Sequence, residues 1–223
     1  MTIRWLSYAM SVTAPRPPAI PAPRITEYFT IAETGANVLF LEVYNHTGTH
    51  LDTAAHVLEE GIGLSAFCPE DLIYSNVLAL DLSGMAEDTV VSPQMLAALE
   101  KGSNAEALLV RFGVEGWRRN DPSRFSNHCP GFSLESAAYI HHQMPRLRMI
   151  GTDGPSIACI SALDETMKAH NVFFEKASLA KFIIVEEMKL DEPLEGIRRM
   201  TVSPWMVEGM NSGPCLIWAE YDH

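Results

Sequence analysis

A mixed α/β fold is what this sequence predicts, on three observations. Apolar runs of strand length recur along the chain, a helix with start and stop signals lies between them, and no internal repeat or low-complexity segment divides the whole. In chain order, Ala14 to Arg24 comes first and carries five prolines, which fix φ and remove backbone donors. This is an extended, rigid connector expected to lie over a surface or a cleft. NVLFLEVYN at 37–45 follows, rich in β-branched and aromatic residues and bounded by Gly35 and the turn at Gly48, as a strand should be. VLALDL at 77–82, ALLVRF at 107–112, LRMIGT at 147–152, FIIVEEMKL at 182–190, RMTVSPWMV at 199–207 and CLIWAEY at 215–221 are further strands. Several are apolar throughout, which predicts burial on both faces. Ser92-Pro93 supplies a cap and a first-turn proline for a helix over QMLAALEK, closed by Gly102. Ser133 to Met144, stopped by Pro145, and Asp164 to Ala177 also have helical spacing. Residues 1–223 are expected to form one domain.

At 223 residues the chain can bury roughly 70 % of its unfolded surface, enough for a sizeable core. Its formal net charge of −12 would repel phosphate backbones and anionic lipid, which argues against nucleic acid and membrane partners and for a small-molecule substrate. No apolar run approaches the ~20 residues of a membrane helix. The opening MTIRWLSYAMSVTAPRPPA is a poor leader, its apolar part broken by Ser7, Ser11 and Thr13, and reads as part of the fold. Cys68, Cys129, Cys159 and Cys215 are far apart in sequence and form no C-x-x-C pair, so buried free thiols in a reducing, cytoplasmic setting are expected.

Chemistry concentrates in His46-Thr-Gly-Thr-His50-Leu-Asp52-Thr-Ala-Ala-His56, where three of the eight histidines and a carboxylate fall within eleven positions. Imidazole nitrogen and carboxylate oxygen suit divalent Zn or Mn. All four residues are at even positions. If the strand continues past Asn45, they project to one side around Gly48. If the segment turns helical after Thr49, the i,i+4 spacing still puts Asp52 and His56 on one face.

The segment resembles the H-x-G-T-H-x-D-x-P-x-H motif of the cyclase-like, metal-dependent hydrolases, a family that includes bacterial kynurenine formamidase and isatin hydrolase. The resemblance extends to Leu6-Ser7, Pro130-Gly131, Gly151-Thr152-Asp153-Gly-Pro-Ser156, His170 and Ile184-Val185-Glu186, in the family's order. It implies a single compact domain of the swivelling β/β/α type with a mixed sheet, in a homo-oligomer, dimer or tetramer, with sites near subunit boundaries. It also implies one or two divalent ions per chain. His46 and His50 would hold the first, Asp52 would bridge to a second, His170 would bind the second, Glu186 would touch one or both, and His56 would be the proton shuttle. Glu187 is a rival to Glu186, because strand alternation turns only one of the pair inward. Glu186 is favoured, since it precedes Glu187-Met188 as the family's Glu precedes x-Leu. Ala54 stands where the family has proline, and residues 11–23 contain no tryptophan where kynurenine formamidases carry one that stacks on substrate.

The implied activity is hydrolysis of a carbon–nitrogen amide bond, in an aryl formamide or a cyclic amide, on a small aryl or carboxylate-bearing molecule. A divalent ion lowers the pKa of water from about 16 toward 7 and polarises a carbonyl. A histidine with an ordinary pKa near 6.5 can carry the proton. The same site could serve lactone or ester hydrolysis, cyclisation or dehydration, or persist in a non-catalytic metal-binding homologue. Elsewhere the sequence reads plainly. His141-His142 and the pairs Arg118-Arg119 and Arg198-Arg199 are expected to be solvated, and Phe29, Phe40, Tyr44 and Trp205 to pack in the core. His128 is expected at most in a loop over the site.

Overall fold

The computed structural model describes residues 1–99, 103–175 and 181–221. Its centre is a nine-stranded mixed sheet. Four strands form a parallel half: β6 (Val77–Asp81), β8 (Ala107–Arg111), β10 (Met149–Thr152) and β11 (Ile183–Glu186), each hydrogen-bonded to the next. The other half is antiparallel: β4 (His50–Asp52), β13 (Ser212–Tyr221), β12 (Ile197–Pro204) and β5 (Ile73–Tyr74), with β1 (Thr2–Trp5) also on β13. The halves meet where β4 pairs antiparallel with β11.

Alternation along the strands sorts side chains onto two cores. Leu108, Val110, Ile150 and Ile184 face helices on one side, while Ala107, Leu109, Met149, Ile183 and Val185 face the antiparallel half on the other. β8, β10 and β11 are therefore apolar up to their last residues, Arg111, Thr152 and Glu186, because both faces are covered, as expected. The helical layer contains α4 (Leu134–Gln143), capped by the Ser133 hydroxyl accepting from Ser136 N–H, and α6 (Lys168–Glu175), which buries Ala169, His170, Phe173 and Phe174.

Several sequence expectations are corrected. The Ser92-Pro93 signal starts a single 3₁₀ turn, Pro93–Leu96, rather than a long helix, and the expected stop at Gly102 lies outside the described residues. The Asp164 to Ala177 helix is split at Met167 into α5 (Leu163–Thr166) and α6, with Ala177 outside the described residues. The helices α2 (Glu115–Asn120) and α3 (Pro122–His128) were among those not foreseen, although Asp121-Pro122 carries the same cap-and-proline signal as Ser92-Pro93. The 37–45 strand does not run into the histidine cluster. Its core, β3 (Val38–Glu42), pairs only with β2 (Arg24–Phe29) in a separate hairpin, linked by the short α1 (Ile31–Thr34), and every residue of both strands is exposed.

Consequently Phe29, Phe40 and Tyr44 are exposed, and so is Trp205 beyond β12, where core packing was expected. Of the four cysteines, Cys129, Cys159 and Cys215 are buried free thiols and Cys68 is exposed. No helix among the described residues is long and apolar enough to cross a membrane.

Two short strands brace the loop that reaches the site. β9 (Gly131–Phe132) pairs in parallel with β7 (Val90–Val91), and Phe132 N–H donates to Ile157 carbonyl at 2.9 Å. A Cβ on Gly131 would lie 2.0 Å from Cys159 N and 2.3 Å from Ala158 carbonyl carbon, so only glycine admits this approach of two backbones. Gly131→Ala must displace one of them. We expect a loss of about 1–3 kcal/mol, read as a fall in Tm of roughly 2–12 °C at this chain length. An unchanged Tm in calorimetry would show that the loop yields freely.

Candidate metal centre

The seam between the sheet halves is where the cluster forms. Antiparallel register sets His50 opposite Glu186 and Asp52 opposite Ile184, so His50, Asp52 and Glu186 share the face that carries the helices. His50 Nε2 lies 3.2 Å from Glu186 Oε2 and 4.0 Å from Asp52 Oδ1. The turn before β4 brings His46 Nδ1 to 3.2 Å from Asp52 Oδ1, and α6 brings His170 Nε2 to 3.2 Å from Glu186 Oε1. Neither the continuous strand nor the helix considered from sequence is formed. β4 is three residues long and gives way to a 3₁₀ turn, Ala54–His56, that ends on the last histidine. The His56 ring then sits 4.5 Å from that of His46 and 6.1 Å from that of His170, centroid to centroid.

All six residues nominated from sequence, His46, His50, Asp52, His56, His170 and Glu186, therefore line one cleft. Glu187 does not join them. It takes a left-handed conformation, φ 54°, and turns to Arg118, whose Nε and Nη2 donate to Glu187 Oε1 at 3.0 and 2.7 Å. Arg118 is thus not a solvated charge: its guanidinium also stacks on Tyr8 at 3.7 Å from the ring centroid. The left-handed residue also resets the strand alternation. Val185 and Met188 face the same core although three positions apart.

Two threonines of the motif, Thr49 and Thr53, are structural. The Thr49 hydroxyl donates to Glu187 carbonyl at 2.6 Å and accepts from Tyr8 N–H at 3.0 Å, while the Thr53 hydroxyl donates to Asn211 carbonyl at 2.7 Å. The latter anchors the turn presenting His56 without the family's proline. Sequence reasoning also missed the support of Glu186, whose Oε1 accepts Ile157 N–H at 2.6 Å and Ser156 hydroxyl at 3.3 Å. Ser156 was noted only as part of a motif. His141, expected to be solvated, instead places Nε2 3.1 Å from Phe173 carbonyl. His128 lies away from the cleft, paired with Asp88 at 3.0 Å.

The donor set fits a divalent cation. Asp52 and His50 are 1 % and 2 % exposed, and both Asp52 carboxylate oxygens, His50 Nε2 and His170 Nδ1 are buried without a hydrogen-bond partner. His50 Nδ1 donates to Gly48 carbonyl at 2.8 Å, which fixes the ring and directs Nε2 at the two carboxylates. Facing lone pairs in a buried space require a shared positive charge, from a proton or a metal ion. Without metal the proton at this seam sits on His50 rather than on the carboxylates. Burial disfavours the charged imidazole of His50, but Glu186 and Asp52 outweigh it and raise its pKa to about 9. Burial likewise pushes Glu186 up, yet the hydrogen bond with His170 and the closeness of the His50 imidazole hold it well below the usual carboxylate range. At His56 burial dominates and lowers the pKa.

A mixed sheet with a buried His/carboxylate seam under a helical layer defines the class, and sequence comparison supplies the family. The Cyclase family model matches residues 6–158, more than half of the 223-residue chain, so this chain belongs to the Cyclase family. Cyclase-like protein 2 of Arabidopsis thaliana is 25 % identical over 183 residues, covering 80 % of this chain and 63 % of that protein. Cyclase-like protein 3 of Oryza sativa subsp. japonica is also 25 % identical, with 64 % of its length covered. The chain thus spans less than two thirds of these relatives. Among solved structures, isatin hydrolase A from Ralstonia solanacearum is similar at a TM-score of 0.80 and 18 % identity, covering 98 % of this chain and 91 % of that one. A potential metal-dependent hydrolase with cyclase activity is similar at a TM-score of 0.74 and 19 % identity over 100 % of this chain and 98 % of that one. At such identities the likeness is one of fold.

The Arg118–Glu187 pair yields a direct test. Arg118→Leu leaves a buried carboxylate without its cation, and should lower stability by about 3–5 kcal/mol in denaturant unfolding. Adding Glu187→Gln should recover part of that loss. Additive losses in the two single variants would show that the pair does not interact.

Proposed function

We propose that this chain is a metal-dependent hydrolase that cleaves the carbon–nitrogen amide bond of a small aryl formamide or cyclic amide. The observation that carries the reading is the group of buried, unpartnered acceptor atoms on Asp52 and His50 beside Glu186. In this reading His46 and His50 would hold a first ion, His170 would hold a second, Asp52 would be shared between them and Glu186 would contribute to one or both. One or two ions of Zn or Mn satisfy the donor types. Such an ion, when bound, lowers the pKa of water toward 7 and polarises a carbonyl oxygen. The chain's own contribution is position and proton transfer. His56, on the rim formed by the 3₁₀ turn, takes a proton from the attacking water and returns it to the departing nitrogen. Gly48 carbonyl keeps His50 in one tautomer, and Ile157 N–H and the Ser156 hydroxyl fix the Glu186 carboxylate.

The proposal extends to the setting. A homo-oligomer, dimer or tetramer, is supported by the β2–β3 hairpin, which exposes Ile25, Phe29, Leu39, Phe40 and Leu41 and packs no residue into its own chain's core. A lone two-stranded ribbon is marginal in water, and a second copy of the chain would cover it. A cytoplasmic location is supported by the buried free thiols Cys129, Cys159 and Cys215.

Metal content and turnover separate the roles. Asp52→Ala should lose metal and activity together. His56→Ala should keep metal near the wild-type level, by plasma mass spectrometry, and lose about 10²–10⁴ in kcat against formanilide. Equal metal loss in both would overturn the shuttle assignment. Chelation should abolish amide cleavage. Bound metal with cleavage of lactones but not amides would move the assignment to ester hydrolysis, and metal without turnover of either would mark a non-catalytic homologue.

A further inference from the structure

The geometry points to an uncharged, apolar carbonyl compound as the substrate, with Ile20, Leu163 and Met167 as the side chains that select it. This rests on the hydrolase reading above and narrows it, because an aryl or a carboxylate-bearing substrate were both open from sequence.

The cluster opens into a cleft of about 270 Å³, near the lower end of ligand-pocket volumes of roughly 300–1,000 Å³. Its walls are Pro17 and Ile20 of the proline-rich segment, Pro155, Ile160, Leu163 and Met167. Ser156 is the only polar lining residue outside the His/carboxylate cluster, and among the described residues no lysine or arginine lines the cleft. A substrate carboxylate would therefore be desolvated with no lysine or arginine side chain to pair with it.

The arginines that could have served are engaged. Arg16, beside Pro17, turns back on its own segment: its Nε donates to Ile20 carbonyl at 2.9 Å and its Nη1 to Ala14 carbonyl at 3.3 Å. Arg118 is held by Glu187 and Tyr8. Next to the wall residues in sequence, Asp164 and Glu165 follow Leu163 and Lys168 follows Met167, so these neighbours bring no net positive charge that would draw an anion. Deeper in, the carboxylates of Asp52 and Glu186 would balance the charge of one divalent ion, a loading at which the site offers an anion no net pull, and the apolar walls offer a cation no partner. Leu163 is 40 % exposed at this mouth, an apolar surface that an aryl ring would cover.

The test measures binding apart from turnover. Benzamide, 4-carbamoylbenzoate and 4-(aminomethyl)benzamide present one amide with a neutral, an anionic or a cationic ring substituent. Calorimetry on the metal-loaded protein should show benzamide binding at least about tenfold more tightly than either charged probe. Leu163→Lys should shift the anion-to-neutral affinity ratio by about tenfold or more toward the anion, with metal content as in the wild type. Met167→Lys provides the same reading should Leu163→Lys fail to fold. Equal or tighter binding of a charged probe, no response to the introduced lysine, or no binding of any of the three would overturn the inference. Turnover of formanilide against 4-formamidobenzoate is scored separately. Cleavage without the neutral preference keeps the hydrolase reading and overturns this one. The neutral preference without cleavage of any amide does the reverse.

Discussion

Two carboxylates buried side by side in a protein interior are the constraint around which this fold is organised. Asp52 and Glu186 are nearly inaccessible and stand on adjacent strands where the parallel and antiparallel halves of the main sheet are hydrogen-bonded to each other. Transferring such ions out of water costs several kcal/mol each even after relaxation. No lysine or arginine side chain is paired with either among the described residues; their partners are histidines. Imidazoles can share a proton or cede their place at the carboxylate to a metal ion, which a guanidinium cannot. The choice of counter-group therefore keeps the seam exchangeable while leaving it buried.

Holding the seam in register falls to residues that never reach the cleft. Glu187 must leave the strand path immediately after Glu186, and the left-handed backbone it adopts is disfavoured for a non-glycine residue by roughly 1–2 kcal/mol. That conformation persists because it is fixed from three sides: Thr49 hydroxyl on its carbonyl, Gly154 carbonyl accepting its N–H at 2.7 Å, and Arg118 on its carboxylate. The outcome is that neighbouring acidic residues, both buried, face different partners. Glu186 is given to the histidines and Glu187 to the frame.

How much of this was legible follows from what each signal depends on. The histidine cluster was legible because residue identity at fixed spacing is a local property, and its even parity remained true of His50 and Asp52 on β4. The path of the chain through the cluster was not, since a three-residue strand followed by a 3₁₀ turn is fixed by pairing with β11 and β13 rather than by its own sequence. The central strands were legible through their apolar runs. The 37–45 segment has the same composition as a core strand yet lies in an exposed hairpin, because propensity records what a strand can pack against and not whether the chain supplies it. Cap signals show the same limit: Asp121-Pro122 opens an α-helix where Ser92-Pro93 opens one 3₁₀ turn. Arg118 was unreadable because its partner is 69 positions away.

The division of labour between sheet and loops bears on how such a site changes its substrate. The donors His50, Asp52 and Glu186 lie on paired strands, whose positions are set by hydrogen bonds on both sides of β4. The apolar walls of the cleft come instead from the proline-rich segment, the loop after β10 and the short α5, elements with little regular hydrogen bonding. Replacing a wall residue changes the volume and polarity of the cleft without moving a donor atom, whereas replacing a donor leaves a buried charge unbalanced. Five prolines hold the first wall by fixing φ rather than by pairing, so side chains such as Ile20 can vary there without loss of a ladder bond. A rigid exchangeable centre enclosed by replaceable apolar walls is an arrangement in which the reaction is set by the sheet and the substrate by the loops.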